Sequence, residues 1–243
     1  MSVELKPEAT GLSARAEEVR RRIEASAARA GRDPREVTLV AVSKTHAASR
    51  VLEAVRAGLS DFGENRVQEA EEKIGELRRE AGVRWHLIGH LQANKARRAV
   101  RLFDLIHTVD TPALAERLER VCAEEGRETL SVLVQVDLAG EESKSGARAE
   151  ELQAVFESLK RCGHLRCRGL MTLPPFFEDA ERVRPYFRRL RELRDELRER
   201  GAFGDTRGEL SMGMSHDFEA AIEEGATLVR VGTAIFGART KDA

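Results

Sequence analysis

Short apolar runs alternate along this chain with longer amphipathic, charged stretches. Eight runs rich in aliphatic and β-branched residues read as strands, at 37–42, 59–62, 85–88, 105–109, 130–136, 168–171, 209–212 and 228–231. Between them a period near 3.6 predicts helices over 50–57, 67–79, 95–101, 112–125, 149–160, 181–200 and 217–224. Thr111 before Pro112, and Ser215 with Asp217, are helix-start signals; Gly58, Gly126, Gly201 and Gly225 are stop signals. A further helix, roughly 14–30, precedes the first run. Strict strand–helix alternation implies a parallel sheet, and eight such units in 243 residues imply closure. The expected fold is therefore a single (β/α)8 TIM barrel with an extra N-terminal helix. It forms one domain over 1–243, with the barrel at about 37–239. The competing doubly wound open sheet lacks its usual G-x-G-x-x-G after the first strand.

Composition supports one large core and removes several function classes. The chain is 41% hydrophobic and 34% charged, with a net charge of -1. So balanced a charge argues against nucleic acid or an anionic membrane as the main partner. Cys122, Cys162 and Cys167 have no C-x-x-C spacing and an odd count, which fits reduced thiols better than a disulfide framework. No apolar run approaches a membrane span and the first residues form no signal-type apolar core, so a cytoplasmic protein is expected.

Chemistry concentrates where the predicted strands end. Lys44 follows the first run through Ser43 and is one of only seven lysines, the others being 6, 73, 95, 144, 160 and 241. At a barrel rim a lysine with a partly buried stem loses its proton more readily than its ordinary value of about 10.4 implies. An uncharged amine forms imines with aldehydes; the alternative is a salt-bridged surface lysine. The loops after the seventh and eighth strands, 211–215 and 232–237, are rich in glycine and hydroxyls. Barrels often cradle phosphate there, although glycine and serine also serve ordinary turns. A phosphate-bearing aldehyde that needs an imine-forming lysine is pyridoxal 5'-phosphate, PLP.

Several blocks in order then carry a family resemblance. They are Val40-Ala41-Val42-Ser43-Lys44-Thr45, Phe62-Gly63-Glu64-Asn65 with Val67-Gln68-Glu69, and Trp85-His86-Leu87-Ile88-Gly89-His90-Leu91-Gln92 with Asn94-Lys95. Lys144-Ser145-Gly146, Arg168-Gly169-Leu170-Met171, Leu210-Ser211-Met212-Gly213-Met214-Ser215 and Val229-Arg230-Val231-Gly232 follow. Together they resemble the pyridoxal phosphate homeostasis protein family over nearly the whole chain. The resemblance implies a barrel similar to the N-terminal domain of bacterial alanine racemase, with PLP held as an internal aldimine. It makes Lys44 the imine lysine, and Ser211, Gly232 and Thr233 phosphate ligands. Arg230 resembles the arginine facing the pyridine nitrogen, and Met212 falls in the same cofactor-binding block. Ala47-Ala48 departs from a Lys-Pro-like step common there, which touches only the loop shape.

An arginine opposite the ring nitrogen disfavours its protonation and makes PLP a weak electron sink. Racemisation also needs a second acid/base, a tyrosine in alanine racemases; the one tyrosine here, Tyr186, heads the predicted helix after strand six and reads as packing. The expected function is a non-catalytic PLP carrier that delivers the cofactor to apo-enzymes, with PLP and apo PLP-dependent enzymes as the expected partners, neither nucleic acid nor membrane among them, and a monomer as the expected state. Alternatives are a fold-type-III PLP enzyme acting on amino acids and an aldolase-like barrel with a Schiff-base lysine. His86 and His90, four apart but separated by Gly89, make a poor zinc pair. His90 is expected near the cofactor, and Asn65 either bonds the ring hydroxyl or caps a helix. The basic runs 95–101 and 188–194 read as solvated helix faces.

Overall fold

Branched residues dominate the first strand, β1 (Thr38–Val42), and hydrogen bonding places it between β2 (Asp61–Glu64) and β8 (Leu228–Val231). The computed structural model describes residues 11–77, 82–140 and 145–237. Between β2 and β8 run β3 (Arg84–Leu87), β4 (Leu105–Val109), β5 (Leu130–Val136), β6 (Leu165–Thr172) and β7 (Glu209–Met214). The eight parallel strands close in sequence order into a barrel, as the alternation implies. Closure pairs Val40 with Arg230, so the loop after β1 and the end of β8 meet at one rim.

Helices cover the outside. They are α1 (Leu12–Arg29), α2 (Ala48–Arg56), α3 (Val67–Glu76), α4 (Ala96–Leu102), α5 (Pro112–Glu125), α6 (Leu152–Lys160), α7 (Arg184–Glu199), α8 (Phe218–Glu223) and the short α9 (Thr233–Phe236). In α1 the buried residues Leu12, Ala16, Val19, Ile23 and Ala27 recur every three or four positions, one face of a helix. Beyond that face, Arg15 Nε donates to the Ile235 carbonyl at 2.7 Å and Arg32 Nη1 to that of Ile222 at 2.7 Å, tying the helix to the end of the barrel. The Thr111 hydroxyl caps α5 by accepting from Leu114 N at 3.2 Å, and Gly126 ends it in the left-handed region, φ 66°.

Strand alternation divides the core in two. Outward residues such as Phe62, Leu87, Ile106, Val134, Met212 and Val229 pack under the helices. Inward residues Val40, Leu105, Leu133, Met171 and Leu228 form an apolar layer inside the barrel.

Boundaries differ where local pairing outweighs composition. Strand β6 begins at Leu165, three residues before the apolar run, because its polar start pairs with β5. A register shift follows between Cys167 and Gly169, where a Cβ on Gly169 would come 2.0 Å from the Glu209 carbonyl oxygen. Helix α6 starts at Leu152 rather than 149. Residues 233–236, read as a glycine-rich loop, form a helical turn. The end of the helix expected over 67–79 and the terminal 238–239 lie outside the described residues, as does Lys144.

Candidate functional site

At the C-terminal end of the strands a cavity of about 320 Å³ opens, within the size range of small-molecule sites. Its polar lining comes from Lys44, Asn65, Ser215, His216, Asp217, Arg230 and Thr233, with Gly232 between the last two. Val42, Ile88, Leu173 and Met214 supply apolar walls. Phe176, 73% exposed, stands on the lining beside His216 with ring centroids 5.4 Å apart.

Lys44 is half-buried, and the backbone on both sides of it is clamped. Lys73 of α3 is buried and donates at 2.7 Å to the Ser43 carbonyl, to Glu64 Oε1 and to Glu69 Oε1. Ser43 Oγ donates to Glu64 Oε1 at 2.7 Å, and the Thr45 N–H donates to Glu69. Thr45 has φ 67°, the only non-glycine residue with positive φ among the described residues. For a β-branched residue that conformation is strained, so the Lys73–Glu64–Glu69 cluster holds a strained turn next to the amine. Burial raises the Glu64 carboxyl, with Lys73 opposing; at Glu69 burial is outweighed by Lys73 and the Thr45 N–H, and its value falls.

Arg230, 3% exposed, is anchored from β8 by two bonds: Nη1 to Ser211 Oγ at 2.6 Å and Nη2 to the Thr172 carbonyl at 2.8 Å. Burial brings it down to about 10, partly offset by Asp217, so it stays charged at neutral pH. Across the mouth, Ser215 Oγ accepts from Gly232 N at 3.1 Å and Ala234 N at 3.4 Å, which gathers hydroxyls and backbone N–H groups in one place. Gly213 has φ 91°, and a Cβ there would sit 2.6 Å from the Ala221 side chain; glycine lets α8 close on β7 and aim Met214 and Ser215 at the cavity. Gly89 plays a similar part for Asn65, whose carbonyl would lie 2.2 Å from an added Cβ.

Five of the residues singled out in the sequence thus converge: Lys44, Asn65, Arg230, Gly232 and Thr233. Three do not reach the lining. Ser211 is wholly buried inside the barrel, its hydroxyl bonded to Arg230 and His107. Met212, one residue on, faces outward into the helix layer. His90 is exposed and lines a neighbouring depression with Asn65, Arg66 and Lys95; its Nδ1 lies 3.9 Å from Asp110 Oδ2. His86 points into the barrel interior instead, so the two histidines do not converge. Tyr186 stacks on Phe177 at 6.0 Å and is absent from the lining. Sequence reasoning missed Met214, His216 and Asp217 on the lining, although strand β7 running on to Met214 makes the residues after it the rim. Burial raises the Asp217 carboxyl, partly offset by the Met214 N–H it accepts at 2.6 Å.

The family model of the alanine racemase N-terminal domain matches residues 15–240 of this closed parallel barrel, with its lysine after the first strand and its arginine on the last. Two relatives of this chain are pyridoxal phosphate homeostasis proteins. That of Aquifex aeolicus is 44% identical over 218 residues, covering 90% of this chain and 94% of the relative. That of Pseudomonas aeruginosa is 48% identical over 218 residues, covering 90% and 91%. The chain belongs to the pyridoxal phosphate homeostasis protein family. Among solved structures, PipY of Synechococcus elongatus with PLP bound superposes with TM-score 0.82 at 40% identity, over 93% of this chain and 100% of that one. No helix among the described residues is long and apolar enough to cross a membrane.

Proposed function

We propose that this chain, as a single barrel domain, holds PLP in the rim cavity as an internal aldimine on Lys44 and passes it to apo PLP-enzymes. The observation that carries this is the donor set: one amine, one buried guanidinium, two hydroxyls and apolar walls around a cavity of about 320 Å³. When bound, the cofactor supplies an aldehyde that condenses with amines and a ring that withdraws electrons. Lys44 offers the amine. The hydroxyls of Thr233 and Ser215 suit a phosphate, and Asn65 suits the ring hydroxyl. Arg230 supplies a fixed cation on the cavity lining; a ring nitrogen set against it would stay unprotonated and the ring would be a weak electron sink. The relatives' names and the PLP held by PipY support the cofactor assignment.

A second role as an amino-acid enzyme has one observation in its favour: His216 and Asp217, both titratable, line the cavity. A paired assay separates the two. Holo-protein is incubated with several L-amino acids while D-enantiomer and keto acid are measured, and is then mixed with an apo-enzyme as its only PLP source. Carriage is expected to give activation without turnover. Turnover of about 1 per second or faster would establish the enzyme instead. Activation no better than from free PLP would remove delivery.

A further inference from the structure

Barrel interiors are ordinarily filled by branched apolar side chains, yet here an unbroken polar chain crosses the interior from Arg230 to the opposite end of the strands. Ser211 Oγ lies 2.8 Å from His107 Nδ1; His107 Nε2 lies 2.9 Å from His86 Nδ1; His86 Nε2 lies 2.9 Å from Asp61 Oδ1. All four side chains are nearly inaccessible, and Arg84 and Ser60, each bonded to Asp61 Oδ2 at 2.8 Å, lead from them to solvent.

Donor and acceptor counting gives this chain one direction. Arginine only donates, so Ser211 Oγ accepts from Arg230. Burial would raise Asp61, but bonds from His86, Arg84 and Ser60 outweigh it and hold it at about 2, so its carboxylate only accepts and His86 Nε2 donates. Burial, with the charge of Arg230, keeps His107 well below its ordinary 6.5, so its ring is neutral, with one donor and one acceptor. The buried Ser211 hydroxyl, which accepts from Arg230, has His107 Nδ1 as the acceptor for its own hydrogen, so His107 carries its hydrogen at Nε2 and donates it to His86 Nδ1. The opposite order would turn the Ser211 hydrogen away from both of its partners, inside a wholly buried site.

We propose that Asp61, His86 and His107 are positioning residues for the cofactor pocket: they fix the donor order Arg230 to Ser211 to His107 to His86 to Asp61. Ser211 thereby offers its lone pair to the guanidinium, and the remaining N–H groups of Arg230 are kept for the occupant of the cavity. Asp61 does for these imidazoles what the buried aspartate of a Ser-His-Asp triad does for its histidine: it sets the tautomer. The proposal rests on the cavity holding PLP.

Asp61→Asn tests it, because an amide can donate where the carboxylate only accepts and so frees the order to reverse. Nitrogen-15 spectra of histidine-labelled, cofactor-free protein are expected to show Nδ1 unprotonated and Nε2 protonated in both His86 and His107. The variant should mix or reverse those tautomers, weaken PLP binding roughly tenfold and shift the visible band of the bound cofactor. Leu133→Ala, in the apolar interior layer, is the control; it should lower the melting temperature and leave tautomers and band position unchanged. If Asp61→Asn does not fold, His107→Asn and His107→Leu decide: Asn retains an acceptor for Ser211 and should retain affinity, whereas Leu should lose it about tenfold. Mixed tautomers in the wild type, or a PLP complex indifferent to these changes, would overturn the positioning role alone. A wild type that binds no PLP would overturn the cofactor assignment and the positioning role with it.

Discussion

Replacing Lys73 by methionine removes the cation from the cluster beneath the Lys44 turn while keeping most of its volume. Glu64 is wholly buried there, with Oε2 lacking any hydrogen-bond partner, so Lys73 is the charge that lets this carboxylate exist inside the protein. Removing one member of a buried pair costs about 3–5 kcal/mol when the survivor stays charged. Glu64 is already pushed upward by burial, and without the opposing charge of Lys73 it should rise further. A carboxyl raised in the folded state takes up a proton on folding, so its penalty is small near its unfolded value and grows by about 1.4 kcal/mol per pH unit above it, up to the folded value. The expected loss is therefore about 1–2 kcal/mol at pH 5, from the missing bond to the Ser43 carbonyl, and about 3–5 kcal/mol at pH 8. Urea midpoints at the two pH values, with unchanged slopes, measure it. Adding Glu64→Leu should recover most of the pH 8 loss. Equal losses at both pH values, or a loss under about 1 kcal/mol at pH 8, would refute the cluster as a buried, charge-dependent clamp.

Two further outcomes follow from the same structure. Ser215→Ala with Thr233→Ala removes two hydroxyls from the cavity mouth, each worth roughly 1.5–3 kcal/mol against a charged acceptor, so PLP should bind at least about tenfold more weakly while pyridoxal changes little; equal losses for both ligands would contradict a phosphate contact. His107 is neutral when folded because its value is lowered, so the unfolded chain binds the extra proton first. Stability should fall by about 1.4 kcal/mol per pH unit as pH drops below about 6.5, and His107→Asn should flatten that slope in chemical denaturation.

Much of this was legible in the residues because parallel strands buried on both faces read as continuous apolar runs, and strand ends in a barrel fall at one rim. Strand ends bring Lys44, Asn65 and the stretch from Arg230 to Gly237 to one rim, and the family resemblance singles out Arg230, Gly232 and Thr233 within it. Parity and strand length decide which of the singled-out residues miss the lining. Strand β7 extends to Met214, so Ser211 points into the interior and Ser215 reaches the mouth, although both stand in the same short block. His90 and Lys95 follow a strand end as Lys44 does, but their loop turns toward a neighbouring depression. Buried clusters were invisible: Lys73 looks like one more polar residue on an amphipathic helix, and His107 and Asp61 like incidental polar residues in or beside apolar runs. Only closure of the barrel brings β2, β3, β4 and β7 close enough for Asp61, His86, His107 and Ser211 to meet.

The most direct test of the account is covalent. Protein purified with PLP, reduced with borohydride and digested, should yield one pyridoxyl-labelled peptide, carrying the label on Lys44. Wild type should show a visible imine band before reduction, and Lys44→Ala should fold yet show neither band nor label. A label on another lysine, Lys144 being the first to examine, would contradict the assignment of Lys44, and a wild type with no label at all would contradict the cofactor site itself.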